Sequence, residues 1–222
     1  METHQIELKG AEEKRIGSRS LLYSLLSRGF RFPPQQHYDR VKKGQFADEV
    51  QGALANLPYD GLNGGELGRG TALSYEKFQS NYIELFEVGG DFGPPCPLYE
   101  GEYGGGRMKV MEEVLRLYHH FGLRISTAKR DRPDHLAMEL EFMHALTFKE
   151  AEALVRGRER GAYLKAQRDL LRFHLHDFTA AVARKVGGNE VPFYTDLARL
   201  SERFCQKEAA YLLSMDKGER NG

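Results

Sequence analysis

Apolar residues along this chain recur at three- and four-residue spacing, the period of a helix with one buried face. Between Ala11 and Gly29, Leu22, Leu25 and Leu26 form a stripe, and the FRFPP that follows stops the helix because Pro34 cannot extend it. A second segment carries Tyr38, Val41, Phe46 and Val50 at looser spacing. The Gly- and Asn-rich stretch 58–70 reads as a loop. Ser74 then caps a helix that places Phe78, Tyr82, Leu85 and Phe86 on one face. Met108, Met111, Leu115 and Tyr118 mark the next stripe, which Gly122 closes. A further helix is expected from near Asp131, with Pro133 in its first turn and Leu136, Leu140, Met143 and Leu146 buried. Two more, 159–186 and 193–215, are separated by Gly187, Gly188 and Pro192.

Alternating runs of Val, Ile and Thr are missing, and Ile occurs only at positions 6, 16, 83 and 125. The expected fold is all-α. It is one domain over 1–222, a single bundle of six or seven helices with a long Pro/Gly loop lying across it. Residues 1–10 and 216–222 read as flexible ends. The length of 222 residues suits such a domain.

Charge narrows the classes of partner. Lys plus Arg total 32 and Asp plus Glu total 32, so no global field recruits nucleic acid or an anionic membrane. No run approaches a membrane-spanning length, and the N-terminal residues lack the apolar core of a secretory signal. A cytoplasmic protein without stable membrane insertion is expected. Cys96 and Cys205 show no CxxC spacing, and reduced thiols are the simpler expectation.

One window departs from this even balance. Residues 78–106 contain Glu84, Glu87, Asp91, Glu100 and Glu102 but no Lys, Arg or His, and they hold Phe78, Tyr82, Phe86, Phe92, Tyr99 and Tyr103. An acidic, aromatic segment with a Pro/Gly loop has the chemistry to hold a basic, partly apolar peptide. An acidic surface loop is the alternative.

Other constellations carry less. Glu141 and His144 form a Glu-x-x-His unit, but the seven other histidines all lack a Glu three residues earlier, so a dinuclear metal site would lack its second half. His174 and His176, like the adjacent His119 and His120, point apart on a helix. GEYGGGRMK lacks the Gly-Lys-Ser/Thr of a phosphate loop and the strand before it, though amides of Gly104 to Gly106 could hold an anion. Cys96, among prolines and carboxylates, has no activating base, and no nucleophile signature appears elsewhere. Catalytic, metal and cofactor sites are therefore not expected. Arg132-Pro133-Asp134-His135 has two open readings. It is a capped helix start with His135 paired to Glu139, or a bracket for the cationic end of a peptide.

Together these residues resemble a known family. Tyr82-x-x-Leu85-Phe86, the Gly/Pro loop, Tyr99 and Tyr103, Tyr118-x-x-x-Gly122, and Pro133-Asp134-His135 with Glu139-Leu140-x-Phe142-Met143 occur in order over residues 78–143. This arrangement resembles the TorD/DmsD/NarJ group, the assembly chaperones of molybdenum oxidoreductases. The resemblance implies a non-enzymatic chaperone, monomeric or homodimeric. Such a chaperone binds a molybdopterin-containing catalytic subunit and its N-terminal leader, often a twin-arginine signal, until the cofactor is inserted. Where much of the family has Glu-Pro-x-Asp-His, Arg132 precedes Pro133 and Pro133 abuts Asp134. With the PPCPLYEGEY loop, this is more similar to the subgroup serving type II enzymes of the dimethyl sulfoxide reductase family. Carried over by motif, Tyr82, Leu85, Phe86, Asp134 and His135 are the recognition residues. Chemistry adds Glu84, Glu87, Tyr99, Glu100, Glu102, Tyr103 and Glu139. Competing readings are a metal-dependent helical-bundle enzyme using Glu141 and His144, and a nucleotide-regulated module using the Gly104 to Gly106 turn.

Overall fold

The computed structural model describes residues 6–89, 91, 93–123, 132–189 and 191–220, with side chains as far as 216. Among them the regular structure is helical: α1 (Ala11–Gly29), α2 (Gln35–Lys42), α3 (Gln45–Leu54), α4 (Tyr75–Phe86), α5 (Arg107–His120), α6 (Leu136–Val155), α7 (Gly161–Leu170), α8 (His176–Val186) and α9 (Pro192–Arg220). A π-helical turn, Leu171–Leu175, joins α7 to α8 without a break, and a short 3-10 turn spans Glu100–Glu102. The expected all-α architecture is what the chain adopts. The residue near which the sixth helix was expected to start, Asp131, lies outside the described residues, as do Phe92, residues 1–5 and residues 221–222.

Three local differences from the sequence reading have physical causes. The second segment is two helices, because Gly44 at φ +78° turns the chain left-handed between α2 and α3; residues with a Cβ rarely adopt that conformation. Phe46, Val41 and Val50 are still buried, but on two rods rather than one. In α5 the buried stripe is Val110, Val114 and Tyr118, while Met108 is exposed. The expected Met111 and Leu115 stand one residue beyond Val110 and Val114, and the two stripes share Tyr118, so period alone does not separate them. Helix α6 starts at Leu136 with His135 as its cap, so Pro133 and Asp134 precede the helix instead of forming its first turn. Its expected buried stripe of Leu136, Leu140, Met143 and Leu146 is otherwise correct.

Helix α1 lies along α6, and α9 closes the bundle against α8 and α7. At their junction sits Arg19, fully buried. Its guanidinium donates to Glu208 through Nε (2.8 Å) and Nη2 (2.8 Å), to Glu150 (3.0 Å) and to Gln167 (2.6 Å). Tyr23 (3.1 Å) and Tyr59 (2.8 Å) donate their hydroxyls to the same Glu208 carboxylate. One cation thereby fixes α1, α6, α7, α9 and, through Tyr59, the 58–70 loop. That loop is also held at Leu67, a buried residue whose N–H donates to Asp196 of α9 (3.1 Å).

Removing Arg19 would leave Glu150 and Glu208 buried together without a counter-charge. Arg19→Met is expected to lower unfolding free energy by about 3–5 kcal/mol. Urea denaturation checks this, and a loss no larger than that of an exposed arginine would show that the cluster is not fixing the bundle.

Candidate functional site

Helix α4 forms because Ser74 accepts the Lys77 N–H (3.2 Å) and because its apolar face has a partner. Tyr82, Leu85 and Phe86 are all buried. The rings of Tyr82 and Phe86 pack edge-on against each other (5.1 Å) and against Tyr194 of α9 (5.9 and 5.0 Å), and the Tyr82 hydroxyl donates to the Phe30 carbonyl (3.2 Å). These three residues are thus core first, with only the edges of the two rings reaching an opening. The last turn of α4 also tethers the Pro/Gly loop, since the Leu85 carbonyl accepts the Cys96 N–H (2.9 Å).

The far end of the loop is fixed to the start of α6. Glu100 N–H donates to the Asp134 carbonyl and Leu136 N–H to the Leu98 carbonyl, both at 2.9 Å, a one-residue antiparallel bridge pairing Tyr99 with His135. The two family signatures, some fifty residues apart in sequence, are therefore each hydrogen-bonded to the same intervening loop, at Cys96 and at Leu98 and Glu100. Tyr118, also fully packed, donates its hydroxyl to the Pro133 carbonyl (3.0 Å) and holds that segment from below. His135 caps α6 by accepting the Ala137 N–H on Nδ1 (3.1 Å) and packs edge-on to the Tyr99 ring (5.0 Å).

Between α4, the loop and this bridge lies a cleft of about 480 Å³. It is lined by Tyr82, Phe86, Glu87, Tyr99, Glu102 and His135 from the expected set, with Pro94, Pro97, Leu98, Arg107 and Arg132. The 3-10 turn is a ridge. Tyr99 and Glu102 face this cleft, whereas Glu100 and Tyr103 face a second, more open groove of about 870 Å³ between α5 and the π turn. The Tyr103 hydroxyl donates to the Pro97 carbonyl (2.8 Å), which fixes the loop from that side.

The carboxylates are less available than their sequence implies, because the fold brings cations from outside the acidic window. Glu102 pairs with both Arg107 and Arg132. The hydrogen bond from Arg132, with help from Arg107, holds its carboxyl below the usual range. Asp134, with no exposed surface, accepts Arg132 Nε (3.0 Å) and Nη2 (2.7 Å) and the Gly101 N–H (3.1 Å). Gly101 must be a glycine, because a Cβ there would stand 2.8 Å from the Arg107 Cα. Glu100 bonds to His174 Nδ1 (2.9 Å), and Glu84 points away toward Lys77 (3.5 Å). Glu87 is the expected acid that lines the cleft with no ion pair among the described residues. Arg107 and Arg132 were not expected as cleft walls, although Arg132 stands only two residues before Asp134.

Glu139 is below the cleft rather than in it. It is fully buried, its oxygens meet no donor among the described residues, and it does not pair with His135. Burial, then the neighbouring carboxylates Glu100 and Asp134, push its pKa well above the ordinary 4.5.

The Glu141 and His144 side chains each have partners outside the metal constellation. Glu141 pairs with Arg31, while His144 Nδ1 meets Ser20 Oγ (2.9 Å) and the Ser20 carbonyl (3.0 Å), joining α6 to α1. No group of three His, Cys, Asp or Glu stands at metal-holding geometry among the described residues. Gly104 to Gly106 all take positive φ and lead into α5, as a helix-entry turn requires. Both cysteines are free and buried, and burial pushes the Cys205 thiol up to about 12. No helix among the described residues is long and apolar enough to cross a membrane.

Comparison with known proteins gives a consistent picture. The family described as nitrate reductase delta subunit matches residues 45–184. The perchlorate reductase assembly chaperone protein of Dechloromonas aromatica is 32% identical over 204 residues, covering 88% of this chain and 90% of the relative. The dimethyl sulfide dehydrogenase assembly chaperone protein of Rhodovulum sulfidophilum is 31% identical, covering 81% and 74%. A crystal structure of an Archaeoglobus fulgidus protein, proposed there as a redox enzyme maturation protein, superposes with a TM-score of 0.55. It is 20% identical and covers 91% of this chain and 99% of that one, so the fold is shared. The named relatives are assembly chaperones rather than catalytic enzymes.

A carboxyl with a raised pKa binds its proton more tightly when folded, so its contribution to stability falls as pH rises above about 4.5. Glu139→Gln keeps the shape and removes the ionisation. Its stability advantage over the wild type is expected to grow from about pH 5 to 8. Denaturation curves across that range check this, and a difference independent of pH would contradict a neutral Glu139.

Proposed function

The chain belongs to the nitrate reductase delta subunit family and is similar to proteins named as assembly chaperones, and on that premise we propose that it is an assembly chaperone for a molybdopterin oxidoreductase. It binds the leader, the apo catalytic subunit, or both, in the cytoplasm, and holds the client until its cofactor is inserted, before twin-arginine export or membrane assembly. The client belongs to the type II enzymes of the dimethyl sulfoxide reductase family, as the resemblance of the Pro133-Asp134 motif implies; relatives named as assembly chaperones for perchlorate, chlorate and selenate reductases and dimethyl sulfide dehydrogenase support this reading.

The observation that carries this reading is the cleft itself. Residues of both signatures line or border it, each tied by backbone hydrogen bonds to the loop between them, and it combines aromatic edges with acids. A leader with arginines followed by apolar residues meets that chemistry. Guanidinium groups donate charge-assisted hydrogen bonds to carboxylates and stack on rings, and an apolar segment lies along exposed ring edges. Glu87 is the acid most available to a docking arginine. Phe32, half exposed and edge-on to Tyr82 (5.6 Å), extends the apolar rim.

Isothermal calorimetry with leader peptides of such enzymes tests the reading. Binding is expected to weaken with salt, and Glu87→Gln to cost about 1 kcal/mol, roughly fivefold in affinity. Affixing a tag to the chaperone and recovering it from its native host should co-purify a large molybdopterin subunit. Absence of both peptide binding and the subunit would overturn the proposal.

A further inference from the structure

Arg132 makes every contact expected of an arginine arriving from a client. Its guanidinium forms a two-pronged bond to Asp134, reaches Glu102 (3.1 Å) and stacks over the Tyr99 ring, 4.4 Å from the centroid. Burial opposes its charge, but the hydrogen bonds it donates to Asp134 and Glu102 more than offset this and raise its pKa. A fork-to-carboxylate bond with an aromatic plane beneath is a complete recognition site for guanidinium.

The groups that receive Arg132 are held in place without it. Asp134 also accepts the Gly101 N–H, and its carbonyl accepts the Glu100 N–H. Glu102 also pairs with Arg107. Tyr99 is set by its bridge to His135 and by the His135 ring. The occupant, by contrast, belongs to no helix and its side chain remains 25% exposed on the wall of the cleft. Acceptors fixed by their own anchors, with a reachable occupant, make an exchangeable seat rather than a closed salt bridge.

We infer that Tyr99, Glu102 and Asp134 form a guanidinium-binding site that Arg132 fills in cis, and that an arginine of the client displaces it on docking. The displacement rests on the leader-binding reading above; the seat does not. Exchange of one guanidinium for another leaves the number of hydrogen bonds unchanged, so the incoming arginine competes only with the high effective concentration of a tethered one. The seat then discriminates by shape, since a lysine cannot supply the fork. A client without the rest of its leader to hold it down does not win the exchange.

Two arms of one experiment test this with Arg132→Ala in the full chain. In the first, thermal unfolding is followed with millimolar methylguanidinium, and with methylammonium at the same ionic strength. The variant should melt lower than the wild type and be restored by methylguanidinium alone, because the vacated seat leaves the Asp134 charge buried. In the second, a synthetic peptide with two consecutive arginines and an apolar run should bind Arg132→Ala roughly tenfold more tightly than the wild type. The same peptide with glutamine for arginine should bind both alike. Equal rescue by the two cations, or no rescue, would overturn the seat; tightening that is absent or independent of the arginines would overturn the displacement. Peptide binding by neither protein would count against the leader-binding reading itself and remove the displacement with it, while the methylguanidinium arm still decides the seat. Should Arg132→Ala not fold, Arg132→Lys, which keeps a charge against Asp134 but loses the fork, carries both arms.

Discussion

The fold depends on one buried cation. Arg19 has no exposed surface, and its guanidinium is satisfied by two carboxylates and an amide from three other helices. Burying a charge is expensive unless hydrogen bonds replace the water it loses, and here Nε, Nη1 and Nη2 of Arg19 all donate to carboxylate or amide oxygens. Apolar contact alone lets neighbouring helices slide or rotate at little cost. A fork that is satisfied in one arrangement of α1, α6, α7 and α9 favours that arrangement over close alternatives. Glu208 also draws in Tyr59, which sets where the 58–70 loop crosses the bundle.

The functional end is arranged around a second buried charge of opposite sign. Asp134 takes the backbone of the 3-10 turn on one oxygen and a guanidinium across both, so the loop after α4, the start of α6 and the cleft wall share one anchor. The two signatures are thereby linked through one loop. Neither shapes the cleft alone: the α4 residues are largely core, and the Asp134 segment needs the loop as its hydrogen-bonding partner. It also separates two hollows of different character, with the 3-10 turn as the ridge between them. Below the ridge, burial and the acids around it push the Glu139 carboxyl well above its ordinary range.

Much of this was legible in the sequence where a single helix decided it. Ser74 capping α4, the burial of Leu22, Leu25 and Leu26, and the stripe from Leu136 to Leu146 all follow from local period and capping. The errors arose where local information is degenerate. Met111 and Val110 offer nearly equivalent stripes in α5, and only the neighbours decide which is buried. Gly44 within a loosely periodic segment can be tolerated or can break it, and the chain turns left-handed there.

The sequence alone determined the helical class, the composition of the acidic and aromatic window, and the ordered residues that place the chain in its family, because these depend on neighbours a few residues apart. Tertiary structure decided which charges are free. Residues 78–106 contain no cation, so they read as unpaired acid, yet Arg107 and Arg132 arrive from later in the chain to meet Glu102, and His174 to meet Glu100. Charge pairing acts through space over a few ångströms, and only the folded chain fixes which side chains come that close.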